Sequence, residues 1–267
     1  MRAPAADPYG AAVPEALDER FAGDDLDREV WFPYYLPHWS SRAASAATYE
    51  VGDGGLRLTI PADQPLWCPD LHSEPLRVSC LQTACLAGPV GSTRGQQPFT
   101  EGLVVREEQP DFRGLTPTYG HLEVTMRATV TARSMVAFWL SGIEDVPEHS
   151  GEICVAEVFG ETVADGTAAV GTGLHRFRDP ALTEEFSAER MTLDVARDHT
   201  YAVDWAPGSL VFAVDGEVVR RIAQAPDYPV QLMLGVFDFP ARAPAGRTGV
   251  PVPELVVSSV VVRPLPG

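Results

Sequence analysis

The stretch Ser150-Gly151-Glu152-Ile153-Cys154-Val155-Ala156-Glu157-Val158-Phe159-Gly160 decides how the rest of this chain is read. It is apolar and rich in β-branched residues, which predicts a strand over Ile153–Phe159. Two glutamates interrupt it. An unpaired carboxylate inside an apolar layer is costly, so a strand that keeps two is expected to turn them toward a cleft. Strict alternation puts Glu152 and Cys154 on one face and Glu157 on the other. One extra residue between Cys154 and Glu157, a β-bulge, brings all three to the same face, and bulges are frequent beside active sites. At ~3.3 Å per residue the two backbones stand ~13 Å apart. Long side chains leaning together on a curved sheet can narrow this toward the ~5–5.5 Å of a retaining glycosidase pair. The competing reading is an acidic strand edge in contact with solvent, and spacing by itself leaves both open.

Outward from this stretch, alternation persists. In His121–Thr131, Leu122, Val124, Met126, Ala128 and Val130 alternate with polar residues, as in a half-buried strand. Tyr201–Ile222 reads as hairpins, with turn signals at Ala206-Pro207-Gly208-Ser209 and Asp215-Gly216. Further strands are predicted at Leu56–Ile60, Met135–Leu140, Ala169–His175, Val230–Phe237 and Leu255–Val262. Only Pro180–Ala188 has the composition of a short helix. Many strands with Gly, Pro and Asp turns and almost no helix predict an all-β sandwich or barrel. Residues 1–20, rich in Ala, Pro and acids, are expected to be a flexible leader, and 21–267 a single domain. The aromatic and proline-rich run from Trp31 to Trp39 does not suit a central strand and is expected to loop over the sandwich or its cleft.

Composition narrows the partners. The 267 residues carry 37 acidic and 20 basic side chains, a formal charge of −17. That balance argues against nucleic acid and anionic membrane, and suits a neutral polymer better than a polyanion. All basic residues are arginines, so Schiff-base chemistry on a lysine is excluded. No asparagine is present, so there is no N-glycosylation sequon. Cys68, Cys80, Cys85 and Cys154 lack zinc-ligand spacing and are expected to be free thiols. No cofactor is expected; a structural calcium is compatible with the sequence but not indicated by it. Met1–Gly10 lacks the apolar run of a signal peptide, so the expected location is the cytoplasm, or outside the cell if an upstream segment has been removed. Oligomeric state is not legible.

Phe138-Trp139-Leu140 followed by Gly151-Glu152-Ile153-Cys154-Val155-Ala156-Glu157 resembles the active-site strands of glycoside hydrolase family 16, whose signature is Glu-x-Asp-x-x-Glu. Gly171-Thr172-Gly173-Leu174-His175 resembles the strand that brings a histidine to that family's cleft. His199-Thr200-Tyr201 through Trp205, then Phe212 to Gly216, resemble its His-x-Tyr…Trp…Val-Asp-Gly hairpin. Tyr228 to Leu234 resemble its Pro-Met-x-Leu strand. The resemblance runs from about Asp24 to Pro264 and is faint before Tyr119.

The resemblance implies a jelly-roll sandwich of two antiparallel sheets like that of concanavalin A, with a saccharide cleft on its concave face. It implies a retaining endo-β-glycosidase acting on a neutral polysaccharide such as a β-glucan. Carried over by position, Glu152 is the nucleophile and Glu157 the acid/base. Cys154 stands where the family has Asp, and a thiol is a weaker hydrogen-bond partner; a small residue filling a strand position is the alternative account of it. Trp139, His175 and Phe159 are the substrate-binding candidates, while Trp205 is expected in the core. Arg94, Gln96 and Gln97 are read as a solvated polar loop, and Glu144, Asp145 and Glu148 as a solvated turn. A non-catalytic carbohydrate-binding protein on the same fold is the main rival, and a polysaccharide lyase a weaker one. No Gly-x-Ser-x-Gly elbow or phosphate-binding glycine loop is present.

Overall fold

The computed structural model describes residues 16–52, 54–242 and 251–265, so most of the expected leader lies outside the described residues. In chain order the strands are β1 (Leu17–Glu19), β2 (Thr48–Gly52), β3 (Gly55–Thr59), β4 (Arg77–Gln82), β5 (Ala84–Cys85), β6 (Phe112–Arg113), β7 (Gly120–Thr129), β8 (Ser134–Gly142), β9 (Glu152–Phe159), β10 (Thr167–His175), β11 (Glu185–Thr192), β12 (His199–Ala206), β13 (Ser209–Val214), β14 (Glu217–Ile222), β15 (Val230–Asp238) and β16 (Glu254–Arg263). One sheet has the order β14-β13-β12-β7-β16-β3-β2, with β1 also on β16; the other is β11-β10-β9-β8-β15-β4. Every strand pair is antiparallel. The architecture is an all-β jelly-roll sandwich, as expected. Among the described residues no helix is long and apolar enough to cross a membrane.

The two sheets differ in what covers them, and the sequence shows it. In β7 buried and half-buried residues alternate, because one face meets the core and the other meets water. In β15 all nine residues are buried. Its Leu232, Leu234 and Val236 join Phe138, Leu140, Ile153 and Val158 in the inter-sheet core. Met233 and Phe237 instead face outward, into a second apolar cluster with Trp139, Trp67, Trp39 and Leu36. The Trp31–Trp39 run supplies part of that outer cover. Trp31 itself reaches the main core, Phe32 bridges to Gln82, and Pro37–Trp39 forms a 3-10 turn. Trp205 is fully buried in the main core, its Nε1 donating to Pro226 O at 3.0 Å.

Two local expectations change. Pro180–Ala188 holds no helix; Glu185–Thr192 is instead an edge strand on β10, so ladder pairing overrides a weak helical composition. Leu17–Glu19, inside the expected leader, pairs with Val260–Val262, and Phe21 is buried in the core.

The register of β9 is the feature that matters for the site. Against β8, Ala156 faces Phe138 while Cys154 faces Trp139, and against β10, Glu157 faces Gly171 while Cys154 faces Gly173. One residue of β9 is therefore extra on both sides, a bulge at Val155–Ala156. Gly173 serves this bend with φ of 144°, and a Cβ there would sit 2.2 Å from Glu185 O. Gly173→Ala is therefore expected to cost ~2–5 kcal/mol, from backbone strain plus that clash. Urea unfolding measures it; a midpoint equal to that of the unsubstituted protein would show that the bend does not need glycine.

Candidate active site

The bulge sorts the side chains of β9. Ile153, Val155, Ala156 and Val158 all enter the inter-sheet core. Glu152, Cys154 and Glu157 are left on the outer face, and both glutamates line a cavity of about 560 Å³. Cross-strand neighbours share a face, so the registers define three rows across this surface. The first runs His175–Glu152–Ser141–Gln231, the second Gly173–Cys154–Trp139–Met233, and the third Gly171–Glu157–Ala137–Gly235. The third row explains the cavity: every neighbour of Glu157 along it is glycine or alanine, so space remains above them. Larger side chains wall that space, among them Tyr35, Trp67, Phe99, Trp139 and Phe237.

Cys154 sits between the glutamates. Its Sγ lies 3.4 Å from Glu152 Oε1 and 3.5 Å from Glu157 Oε1. A thiol has one proton to donate, so it serves one carboxylate at a time. It is fully buried, and burial beside the two glutamates raises its pKa well above the usual thiol value. Burial, followed by the charge of Glu157, pushes Glu152 up to about 8. Burial also raises Glu157, against the opposing pulls of His175 and the Cys154 thiol. The two acids are close, both raised, and titrate as a pair.

His175 enters from the end of β10. Its Nδ1 is held by Glu184, and its ring stacks on Phe186 at 4.6 Å. One donor atom from each of Glu152, Cys154, Glu157 and His175 lies within 4.8 Å of all the others. Gly151, just before Glu152, is fixed by Tyr228: its N–H donates to the phenol oxygen at 2.7 Å, and that hydroxyl donates to Asp179 at 2.7 Å. Space also demands glycine at Gly151, since a Cβ would meet Tyr228 Oη and Leu182 at 2.6 Å.

The structure thus brings together Glu152, Cys154, Glu157, His175 and Trp139. Phe159 lies at the far end of β9 and is not among the residues lining the cavity. Trp139 has a double placement: it lines the cavity yet is only 5% exposed and packs on Phe237.

Two polar loops depart from expectation. Glu144 is not in a solvated turn. Its side chain is 3% exposed, lines the cavity, accepts from Gln97 N at 2.6 Å and pairs with Arg178. Burial pushes its pKa up to about 7. Asp145 and Glu148 are exposed as expected. Gln96 is fully buried and its carbonyl accepts from Trp39 Nε1 at 2.7 Å, while Gln97 lines the cavity. The Gln96 side chain is held by Leu86, whose N–H donates to its Oε1 at 2.9 Å, and that of Gln97 by Met233, to whose sulfur its Nε2 donates at 3.1 Å. Sequence reasoning missed Glu144, Arg178, Tyr228 and Asp179 as site residues. Glu144 was singled out only as part of a solvated turn and Tyr228 only as part of a strand; Arg178 and Asp179 were not singled out.

Comparisons agree with this geometry. The model of glycosyl hydrolases family 16 matches residues 116–249, half of the chain. Among solved structures, a GlcNAcα1-4Gal-releasing endo-β-galactosidase from Clostridium perfringens superposes with a TM-score of 0.76 at 25% identity. That alignment covers 98% of this chain and 66% of the other, so the chain spans just under two thirds of that protein's length. A laminarinase from Flavobacterium sp. UMI-01 gives 0.63 at 19% identity, over 92% of this chain and 98% of that one. The catalytic domain of an endo-1,3-β-glucanase from Thermotoga petrophila RKU-1 gives 0.62 at 15%, over 94% and 97%. No curated protein matches by sequence. The family match spans the strands that carry Glu152, Glu157 and His175, and on it the chain belongs to the glycosyl hydrolases of family 16.

Proposed function

We propose that this glycoside hydrolase is a retaining endo-β-glycosidase, with Glu152 as nucleophile and Glu157 as acid/base. The observation that carries the reading is the approach of the two carboxylates, whose oxygens come within 4.8 Å of each other on the cavity floor. That bound is on one oxygen of each carboxylate; it is compatible with the ~5–5.5 Å between carboxyl groups of a retaining pair and favours it over the ~6.5–9.5 Å that an inverting pair needs to admit a water. In this mechanism Glu152 attacks the anomeric carbon while Glu157 gives its proton to the departing glycosidic oxygen. Glu157 then takes a proton from the water that releases the sugar from Glu152. The pair must hold one proton, placed on Glu157. Burial raises Glu152 more than Glu157, which draws that proton toward Glu152; the S–H of Cys154, donated to Glu152, opposes this, since a hydrogen bond to the carboxylate stabilises the charged form. In the resemblance this position belongs to an Asp, so Cys154 acts here as a weaker version of the same partner.

The substrate favoured by the site is neutral. Aromatic walls suit stacking on sugar rings, and the formal charge of −17 repels polyanions. The expected β-glucan stands beside a second candidate, a β-galactose-containing glycan, which the higher TM-score and identity to an endo-β-galactosidase support.

Glu157→Gln is expected to lower kcat by roughly 10²–10⁴-fold, and Glu152→Gln to abolish turnover. Neither should weaken the fold. Glu152 has its pKa raised from 4.5 to about 8, so ionising it costs stability as pH rises through that window; the neutral amide removes the cost. The melting temperature of Glu152→Gln near pH 8 should therefore equal or exceed that of the unsubstituted protein. Azide should rescue Glu157→Ala with a glycosyl azide of retained configuration. Proton NMR of the first product decides the stereochemistry: an inverted anomer would remove the retaining mechanism. Binding without turnover across a panel of galactans and glucans would favour the carbohydrate-binding protein instead.

The pH profile offers a second test. With both acids raised, the bell of kcat/KM in chelator-treated protein should lie above the ordinary glutamate range, its alkaline limb set by loss of the proton on Glu157, whose pKa burial raises. Cys154→Asp adds a negative charge beside that proton, which should move the alkaline limb upward and keep or raise activity. A limb that stays in place would separate position 154 from the titrating pair.

A further inference from the structure

Two carboxylate oxygens, a thiol sulfur and an imidazole nitrogen converge beside the cavity that Glu152 and Glu157 line. Cys154 Sγ is 3.4 Å from Glu152 Oε1 and 3.5 Å from Glu157 Oε1, and a nitrogen of His175 completes a set in which all four atoms lie within 4.8 Å of one another. A tetrahedral ion with bonds of ~2.0–2.3 Å has ligand–ligand edges of roughly 3.3–3.8 Å. The two sulfur–oxygen edges already have that length. The residues around the set are those of a metal-bound histidine. His175 Nδ1 is bonded to Glu184, which leaves Nε2 as the nitrogen for a ligand, and Phe186 stacks against the ring to hold its plane. A carboxylate behind a histidine is the usual outer support of a zinc ligand. Access is provided, since Glu152 and Glu157 line the open cavity. Chain spacing gave no hint of this set, because the two glutamates and the thiol converge only through the bulge, and His175 arrives from the next strand.

We infer that Glu152, Cys154, Glu157 and His175 form a binding site for a zinc-class divalent cation, whose occupation shuts the catalytic centre reversibly. A mixed sulfur, nitrogen and oxygen set selects zinc or cobalt over magnesium or calcium, which take oxygen ligands alone. Binding replaces the thiol proton and the proton shared by the glutamate pair, and both leave to solvent. With both carboxylates on the metal, neither attack on the anomeric carbon nor proton donation is available. The thiol is what gives the set its selectivity: an oxygen ligand in its place would leave one imidazole among carboxylates, a harder set that discriminates less against magnesium and calcium.

Binding stands apart from the proposed glycosidase chemistry, whereas the inhibition rests on it, so the test reads them separately. The full chain, stripped with chelator, is titrated with cobalt(II) alone. One equivalent should produce a thiolate-to-cobalt charge-transfer band and the intense visible bands of a tetrahedral site. Cys154→Ala and Cys154→Ser should lose the charge-transfer band, and Cys85→Ala should keep it. Glu184→Gln should lower zinc affinity by roughly 10–100-fold in competition titrations, as removal of a ligand's outer support does. Zinc should inhibit hydrolysis with the same affinity, and chelator should restore it. Absence of the band in the unsubstituted protein with excess cobalt would overturn the site, as would a band that survives both Cys154 substitutions. If no glycan is hydrolysed, the cobalt spectra still decide the metal site, and the glycosidase reading fails by itself.

Discussion

The site depends on one backbone irregularity, the extra residue at Val155–Ala156. A regular β9 would send Glu157 into the inter-sheet core, where a lone carboxylate has no partner. With the bulge, both Val155 and Ala156 turn inward and Glu152, Cys154 and Glu157 emerge together on the outer face. The neighbouring strands conform to it. Gly173 takes a backbone angle that other residues resist, and Gly171 leaves no side chain beside Glu157, where a Cβ would collide with Phe186. The approach of the two glutamates is thus a consequence of strand geometry, not of flexible side chains.

The outer face of the six-stranded sheet has two regimes. Over β4, β15 and β8 it is roofed by the loops that carry Leu36, Trp39 and Trp67, which bury Cys80, Met233 and Phe237. Next to Glu157 the small residues of its row keep the surface low, and the roof ends. A cavity results at the border between a second apolar core and an open groove. Such a border is where a buried acid can be raised in pKa yet still reach substrate. Glu144 repeats the pattern, buried, raised in pKa, paired with Arg178 and tethered by the N–H of Gln97.

Charge and chemistry then combine. Two raised glutamates share limited protons, a buried thiol offers one donor between them, and His175 pulls on Glu157 from the side. This arrangement suits the proposed proton transfer to a glycosidic oxygen, and the same four groups make a compact set of ligand atoms. Both properties follow from forcing unlike donors into one small volume with restricted water.

Much of the fold was legible in the chain. Alternation in His121–Thr131 and the turns at Gly208 and Asp215-Gly216 reflect the period of the pleat and the backbone angles of tight turns, both local properties. The doubly buried run of Val230–Phe237 was legible as a strand for the same reason. Two glutamates in an apolar strand narrowed the choice to a cleft with a bulge or an acidic edge in solvent, because the cost of burying a charge is also local in origin; the register of β9 against β8 and β10 decided for the bulge. What sequence could not settle were contacts set by register between distant segments. Glu144 reads as a solvated turn until Gln97 and Arg178 close on it from 47 and 34 residues away. Tyr228 shows no role until its hydroxyl links Gly151 to Asp179. Phe159 looked equal to Trp139 as a cleft residue, but the end of a strand and its middle differ only once the roof is in place. Pro180–Ala188 went the other way, its weak helical preference losing to pairing along β10. Residue type and spacing determined which strands form and which acids must escape the core; tertiary packing decided their neighbours, because burial, proton sharing and ligand geometry are properties of groups brought together in space.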